Sequence, residues 1–198
     1  MADKKTLDVY AREVERYAKT FNASQENRHM HAFLAAMPQG AHILDLGCGP
    51  GHAAAYMTSL GHHVDAWDAS PAMVEMARDT HGLNAEVAEF QDLEAVGIYH
   101  GIYANFSLLH APKASMPGHL LRISQALKPG GRLHIGLKSG KGEKRDKLGR
   151  FYAYYEEDEL ASLLTTAGFD ITYRAAGEDT GLDGTVAPWI ILQGNTHG

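Results

Sequence analysis

The chain has 198 residues, 44% hydrophobic and 21% charged, the values of a globular domain able to bury a real core and not those of a disordered chain. Its net charge of -6 argues against long-range attraction to nucleic acid. No apolar run is long enough to span a membrane, and the charged start "MADKKTLDVYAREVERYAKTF" lacks the apolar stretch of a secretory signal. Cys48 is the single cysteine, so no intrachain disulfide can form, and a reducing cytoplasmic setting is expected. The 12 histidines show no metal-ligand spacing, so no metal is expected. His29 and His31, and the adjacent His62 and His63, read as surface features.

In chain order, the first predicted helix carries Tyr10, Val14, Tyr17 and Phe21 along one stripe. A second opens near Ser24 and carries Met30, Phe33, Leu34 and Met37. Strand "AHILDLG" leads through a glycine-rich turn into helix "GHAAAYMTSLG", which closes at Gly61 as a C′ glycine. Strand "HHVDAWD" precedes helix "SPAMVEMARDTHG", with Ser70 as N-cap, Pro71 in the first turn and its end near Gly82. After strand "NAEVAEF" the crossover "QDLEAVGIY" is too short for a full helix, so a turn or one helical turn is expected. Strand "HGIYANF", a helix ending against Pro129 and strand "GRLHIGLK" follow. The basic run "LKSGKGEKRDKLGR" (137–150) reads as a solvated loop. Helix "EEDELASLLTTAG" has acids in its first turn and Gly168 after its last. Strands "FDITYRA" and "APWIILQG" close the chain. With no repeat or linker, residues 1–198 read as one α/β domain, a parallel sheet covered by helices on both faces.

The chemistry concentrates in "DLGCGPG", Asp45 to Gly51. A glycine-rich turn between strand and helix lets a ligand touch bare backbone. The spacing is Gly47-x-Gly49-x-Gly51, so the third glycine comes one residue earlier than in the dinucleotide fingerprint. Asp45 would repel a pyrophosphate and attract an ammonium group. A ligand joining an adenosine to a free amino acid meets both demands.

"HILDLGCGPG" followed by "VDAWDAS", with "ALKPGGRLHIGLK" further on, resembles the class I S-adenosylmethionine-dependent methyltransferases. The later stretches resemble a small bacterial branch of that superfamily. The resemblance implies a doubly wound, Rossmann-like, mostly parallel seven-stranded sheet with an antiparallel last strand. It implies S-adenosylmethionine as cofactor and S-adenosylhomocysteine as product. Gly47, Cys48, Gly49 and Gly51 would line the methionine half, with Asp45 orienting that end. Asp68 would accept the ribose hydroxyls. Ala69, Ser70 and Met73 would pack around the adenine, with Glu89 and Phe90 beyond. Asn105 and Phe106, ending the fourth strand, would stand near the ammonium. The helices of residues 1–40 would lid the site, Tyr17 reaching the cofactor and Tyr10 the substrate side.

Each residue has a plainer reading. The Tyr10–Tyr17 stripe fits an ordinary core face. Asp45 fits a turn-stabilising acid, and Asp68 an acid favouring the helix that starts at Pro71. Asp65 is a competitor for the ribose, but Asp68 holds the strand end. Cys48 needs only to be small between glycines. His110 stands where a substrate would enter and reads as a general base or as a loop histidine. Lys138, Arg150 and Tyr152, in the insertion 138–156, read as substrate contacts beside Tyr154 and Tyr155, or as a strand packing on the core.

Methyl transfer to a small-molecule acceptor leads, since it requires alignment before any acid or base. A non-catalytic or regulatory protein keeping the same pocket stays open, as does an NAD-dependent oxidoreductase, which the glycine spacing and Asp45 oppose. A nucleic-acid methyltransferase is disfavoured, since "ANFSLL" stands where a motif for flipped bases would fall. No membrane partner is expected, and the chain reads as a monomer or homodimer.

Overall fold

The computed structural model describes residues 3–20 and 28–197. The first part of the chain forms α1 (Lys4–Thr20), α2 (Arg28–Leu34), β1 (His42–Leu46), α3 (His52–Ser59), β2 (His63–Asp68), α4 (Pro71–His81) and β3 (Ala85–Val87). The second part forms β4 (Tyr99–Asn105), α5 (Met116–Ala126), β5 (Leu127–Lys138), β6 (Glu143–Arg145), β7 (Phe151–Ala153), α6 (Glu157–Thr166), β8 (Phe169–Thr180) and β9 (Val186–Thr196). The short crossover after β3 is one 3₁₀ turn, Phe90–Asp92, as its length requires. The expected positions Phe21 and Ser24 lie outside the described residues.

The seven-stranded sheet runs β3-β2-β1-β4-β5-β9-β8. β1 to β5 pair in parallel, and β9 is antiparallel to both β5 and β8. The last strand of the chain is therefore inserted between its neighbours and does not form the edge. The period-2 alternation of β1 shows why helices cover both faces. Leu44 and Leu46 join the core with Leu120 and Ile123 of α5 and Leu160 and Leu164 of α6. Ile43 joins the core with Met30 and Phe33 of α2, Met57 of α3 and Tyr103 of β4. Burying a leucine such as Leu44 stabilises the fold by roughly 1.5–3 kcal/mol.

The strand order reverses between β1 and β4, and parallel strands bring their C-terminal ends to one side, where such sheets bind ligands. The glycine loop leaves β1 there, Asp68 ends β2 and Asn105 ends β4. Gly47 N–H and Cys48 N–H both donate to Trp67 O, at 2.7 and 2.8 Å, which fastens the loop to β2. Ser70 occupies the N-cap position of α4, but its hydroxyl makes no capping bond. Asp68 Oδ1 accepts from the N–H of Ser70 itself at 2.8 Å, which fixes the chain just before the helix. The insertion is more ordered than a solvated loop. β6 and β7 form their own antiparallel pair, and Arg150 between them is buried. His29 is half-buried, its Nδ1 2.8 Å from Tyr173 Oη and its ring edge-on against Trp189.

Candidate functional site

A cavity of about 390 Å³ opens at the C-terminal ends of β1, β2 and β4. One half is walled by Gly47, Gly49, Asp68, Ala69, Met73 and Tyr17. Glu89, Phe90, Asn105 and Phe106 also line it. Tyr10 and His110 line the other half with Leu7, Pro112, Ser115 and His119. The structure thus gathers twelve of the expected residues around one cavity. Asp45, Cys48, Gly51, Lys138, Arg150 and Tyr152 are not on its wall.

Those six have other positions. Gly51 has φ 87°, and a Cβ there would stand 2.9 Å from Ala77 Cβ, so this glycine lets α3 and α4 approach. Cys48 packs with Ala54 and Ala66, and burial pushes its thiol far up. Arg150 is only 2% exposed, its Nε and Nη2 bound to Asp146 Oδ2 at 2.8 and 2.6 Å. Its guanidinium stacks on the rings of Tyr10 and Tyr152, 5.3 and 5.2 Å from their centroids. Lys138 Nζ sits 4.3 Å from the centroid of the buried Tyr152 ring. The three insertion residues therefore stand behind the wall and support it.

The glycine loop is shaped to leave backbone open. Gly47 has φ 83°, and a Cβ there would collide with the Ser107 side chain, whose Oγ donates to Leu46 O at 2.6 Å. Asp68 Oδ2 accepts from Gly49 N–H at 2.9 Å, so one carboxylate ties the loop to α4 and faces the cavity. Each carboxylate oxygen keeps a second lone pair for a ligand hydroxyl. The competing acid is spent elsewhere: Asp65 Oδ2 accepts from Tyr99 Oη at 3.0 Å and lies 2.8 Å from His42 Nε2. Asp45 is 2% exposed, and its Oδ2 has no hydrogen-bond partner among the described residues. Burial, with the Asp68 charge nearby, pushes the Asp45 carboxyl up to about 7. A cation above it would reverse that shift.

Two buried imidazoles hold the walls. His134 Nε2 lies 3.0 Å from Asn105 Oδ1, and its Nδ1 lies 3.2 Å from Gln193 Nε2. An amide nitrogen only donates and an amide oxygen only accepts, so His134 carries its proton on Nε2. Asn105 is thereby oriented, with its Oδ1 turned from the cavity. Phe106 follows with φ 55°, a left-handed conformation that a non-glycine residue adopts at a cost of about 1 kcal/mol or more. On the other side, His110 Nδ1 lies 2.6 Å from Phe151 O, so it must donate there. Nε2 is left as the acceptor, and Tyr10 Oη donates to it at 2.7 Å. Arg150 Nη1 donates to the same Tyr10 oxygen at 3.2 Å. Both His110 nitrogens are therefore engaged, a geometry that docks α1 more directly than it supplies a free base.

Burial holds His110 down to about 4 and His134 down to about 3. Both rings are then neutral at pH 7, and nitrogen-15 histidine spectra are expected to show no titration of either above pH 5. A folded-state value below the unfolded 6.5 gives stability that is present above pH 6.5 and lost as pH falls toward 3. The stability advantage of wild type over His134→Asn, measured by urea unfolding, is expected to shrink across that window. An advantage constant from pH 7 to 4 would contradict it.

The sequence reading missed Asp3, Thr6, Leu7, Ser115 and His119, all on the cavity wall. Asp3, Thr6, Leu7 and Tyr10 have helical spacing, so extending the tyrosine stripe one turn toward the N-terminus finds them. Asp3 receives Arg145 through two bonds of 2.8 Å each, and Thr6 Oγ1 accepts from Phe151 N–H at 2.8 Å. These contacts seat α1 on the insertion.

Residues 43–131 match the family model described as a methyltransferase domain. The chain is 32% identical over 149 residues to the O-methyltransferase cnsE of Penicillium expansum, covering 67% of this chain and 53% of that one. It is 35% identical over 105 residues to the ubiquinone biosynthesis O-methyltransferase of Xanthomonas oryzae pv. oryzae, covering 48% and 42%. The chain spans about half the length of the curated relatives it matches. Among solved structures it resembles the 1,6-didemethyltoxoflavin-N1-methyltransferase of Burkholderia thailandensis, which was crystallised with 1,6-didemethyltoxoflavin and S-adenosylhomocysteine. The TM-score is 0.77 at 21% identity, over 98% of this chain and 88% of that one. Strand order, glycine loop and family match agree: residues 43–131 carry a methyltransferase domain, set in the fold of the solved methyltransferases that the chain resembles.

Proposed function

We propose that the chain binds S-adenosylmethionine in this cavity and directs its methyl group to a small-molecule acceptor. The observation that carries the reading is the pair of buried carboxylates around an open glycine loop. Asp68 faces the cavity with spare acceptor capacity, and Asp45 has an orphaned oxygen that asks for a positive group. A molecule with a ribose diol at one end and an ammonium at the other satisfies both. A pyrophosphate satisfies neither. When bound, S-adenosylmethionine supplies an electrophilic sulfonium methyl.

The protein's own contribution is placement and exclusion of water. Asp68 holds the ribose end, and Asp45 answers the ammonium. Gly47 and Gly49 give the close approach, and Tyr17 covers it, 3.7 Å from where a Gly49 Cβ would stand. Ala69 and Met73 support the adenine side, with Glu89 and Phe90 beyond it. Asn105 and Phe106 border the methionine side. Tyr10 and His110, braced by Arg150, Tyr152 and Lys138, hold α1 over the acceptor half, with the insertion 138–156 supporting it from behind.

The test is turnover. Protein incubated with S-adenosylmethionine and a panel of small hydroxyl, amine and thiol compounds is expected to release S-adenosylhomocysteine with at least one of them. A protein that binds the cofactor tightly yet never releases product across a broad panel is the non-catalytic member of the same fold.

A further inference from the structure

We propose that His52 and His81 form a two-histidine site for a divalent transition-metal ion of the zinc kind, set outside the cavity where α1, α3 and α4 meet. The inference goes beyond the cofactor reading and does not depend on it.

His52 opens α3 and His81 closes α4. Both residues are partly exposed, and neither lines the cavity. His81 Nε2 lies 3.2 Å from His52 Nδ1, with the ring centroids 5.1 Å apart and the rings at 73°. A tetrahedral ion with metal–nitrogen bonds of about 2.0–2.1 Å sets two ligand nitrogens roughly 3.3–3.4 Å apart. The two imidazoles therefore already stand near the separation that one ion needs. A small rotation of two partly exposed side chains admits it.

The proton positions favour the same reading. His52 Nε2 lies 3.1 Å from Ala18 O, in the last turn of α1, where carbonyls lack intrahelical partners. A carbonyl only accepts, so His52 carries its proton on Nε2 and keeps the Nδ1 lone pair facing His81. A histidine that binds a metal characteristically donates its other N–H to a carbonyl or carboxylate, and Ala18 already fills that part. Without an ion, His81 Nε2–H donates to the His52 lone pair. With one, that proton moves to His81 Nδ1, which has no hydrogen-bond partner among the described residues. The neutral pair can thus take an ion with no net loss of a proton.

Imidazole nitrogens suit zinc, nickel and copper, whereas magnesium and calcium prefer oxygen. Among the described residues no group of three or more histidines, cysteines or acids is placed to hold a metal, so water completes the shell of this pair. Two protein ligands and an open shell make an exchangeable site. Ala18 follows Tyr17, whose ring stands over Gly49, so the ion would fasten the end of α1 that covers the glycine loop. The two histidines are 29 residues apart on separate helices, which is why no motif marks them in the sequence.

Untagged full-length protein is titrated by calorimetry with Zn²⁺ and, as a hard-cation control, with Mg²⁺. One Zn²⁺ is expected to bind with a dissociation constant on the order of 10⁻⁵ M, since two ligands supply about half of what a four-ligand structural site does. Mg²⁺ is expected not to bind. His52→Gln and His81→Gln are each expected to weaken Zn²⁺ binding at least roughly tenfold. His63→Gln, at an exposed histidine that opens β2, is expected to bind as wild type does. Circular dichroism checks that each variant folds. Nitrogen-15 spectra of the wild type, which need no variant, are expected to show the His52 and His81 rings shifting at lower Zn²⁺ than the other histidines. No Zn²⁺ binding by wild type, equal binding of Mg²⁺, unchanged binding in both folded variants, or other histidines shifting first overturns the proposal.

Discussion

Asp68→Ala weakens S-adenosylhomocysteine binding by roughly 1.5–3 kcal/mol, about ten- to a hundredfold, the scale of hydrogen bonds to a charged group. The loss has two sources. The ribose loses its carboxylate, and the N–H groups of Gly49 and Ser70 lose their shared partner, which loosens the loop and the start of α4. Asp65→Ala separates these effects from a general loss of acid. Asp65 serves Tyr99 and His42 away from the cavity, so its removal lowers stability and leaves cofactor affinity in place. Calorimetry on both variants checks the pair. Unchanged affinity in Asp68→Ala would mean that the ribose is held elsewhere.

Arg150→Ala destabilises the protein by about 3–5 kcal/mol, the cost of stranding one member of a buried ion pair. The side chains of Arg150 and Asp146 are 2% and 4% exposed, so solvent cannot rescue the orphan. The loss reaches the site, because Arg150 also holds Tyr10, and Tyr10 holds α1 to His110. Replacing both partners, Arg150→Met with Asp146→Leu, recovers most of the stability in urea unfolding, since no charge is left unpaired. It does not restore the Tyr10 contact, so cofactor affinity stays below wild type. A double variant no more stable than the single one would show that the pair itself contributes net stability.

The glycine-loop half of the cavity was legible in the sequence because its signals are local. The glycine spacing, the acid before it and the acid ending β2 all follow from strand–turn–helix order, and the loop needs positive φ at Gly47 and Gly49. The half around Tyr10 and His110 was not, because its logic is long-range. Nothing near Arg150 in the sequence announces that Asp146 and two tyrosine rings will bury it. Nor does the sequence show that His110 will find Tyr10 on a helix 100 residues earlier. His119 sat unnoticed among 12 histidines. Its helix was read only by its end against Pro129, and in the structure His119 follows Met116 in the first turn and lines the cavity. Ser70 does stand at the N-cap of α4, as its composition signals, but its hydroxyl makes no capping bond. Composition marks the N-cap position, but only the fold shows that Asp68 Oδ1 accepts from the Ser70 N–H.

The most direct test of the central claim is calorimetric titration of the purified protein with S-adenosylmethionine, S-adenosylhomocysteine and NAD. The structure predicts that the first two bind with affinities in the micromolar range or tighter and that NAD does not bind. Binding of NAD alone would contradict the account and return Asp45 to a purely structural role.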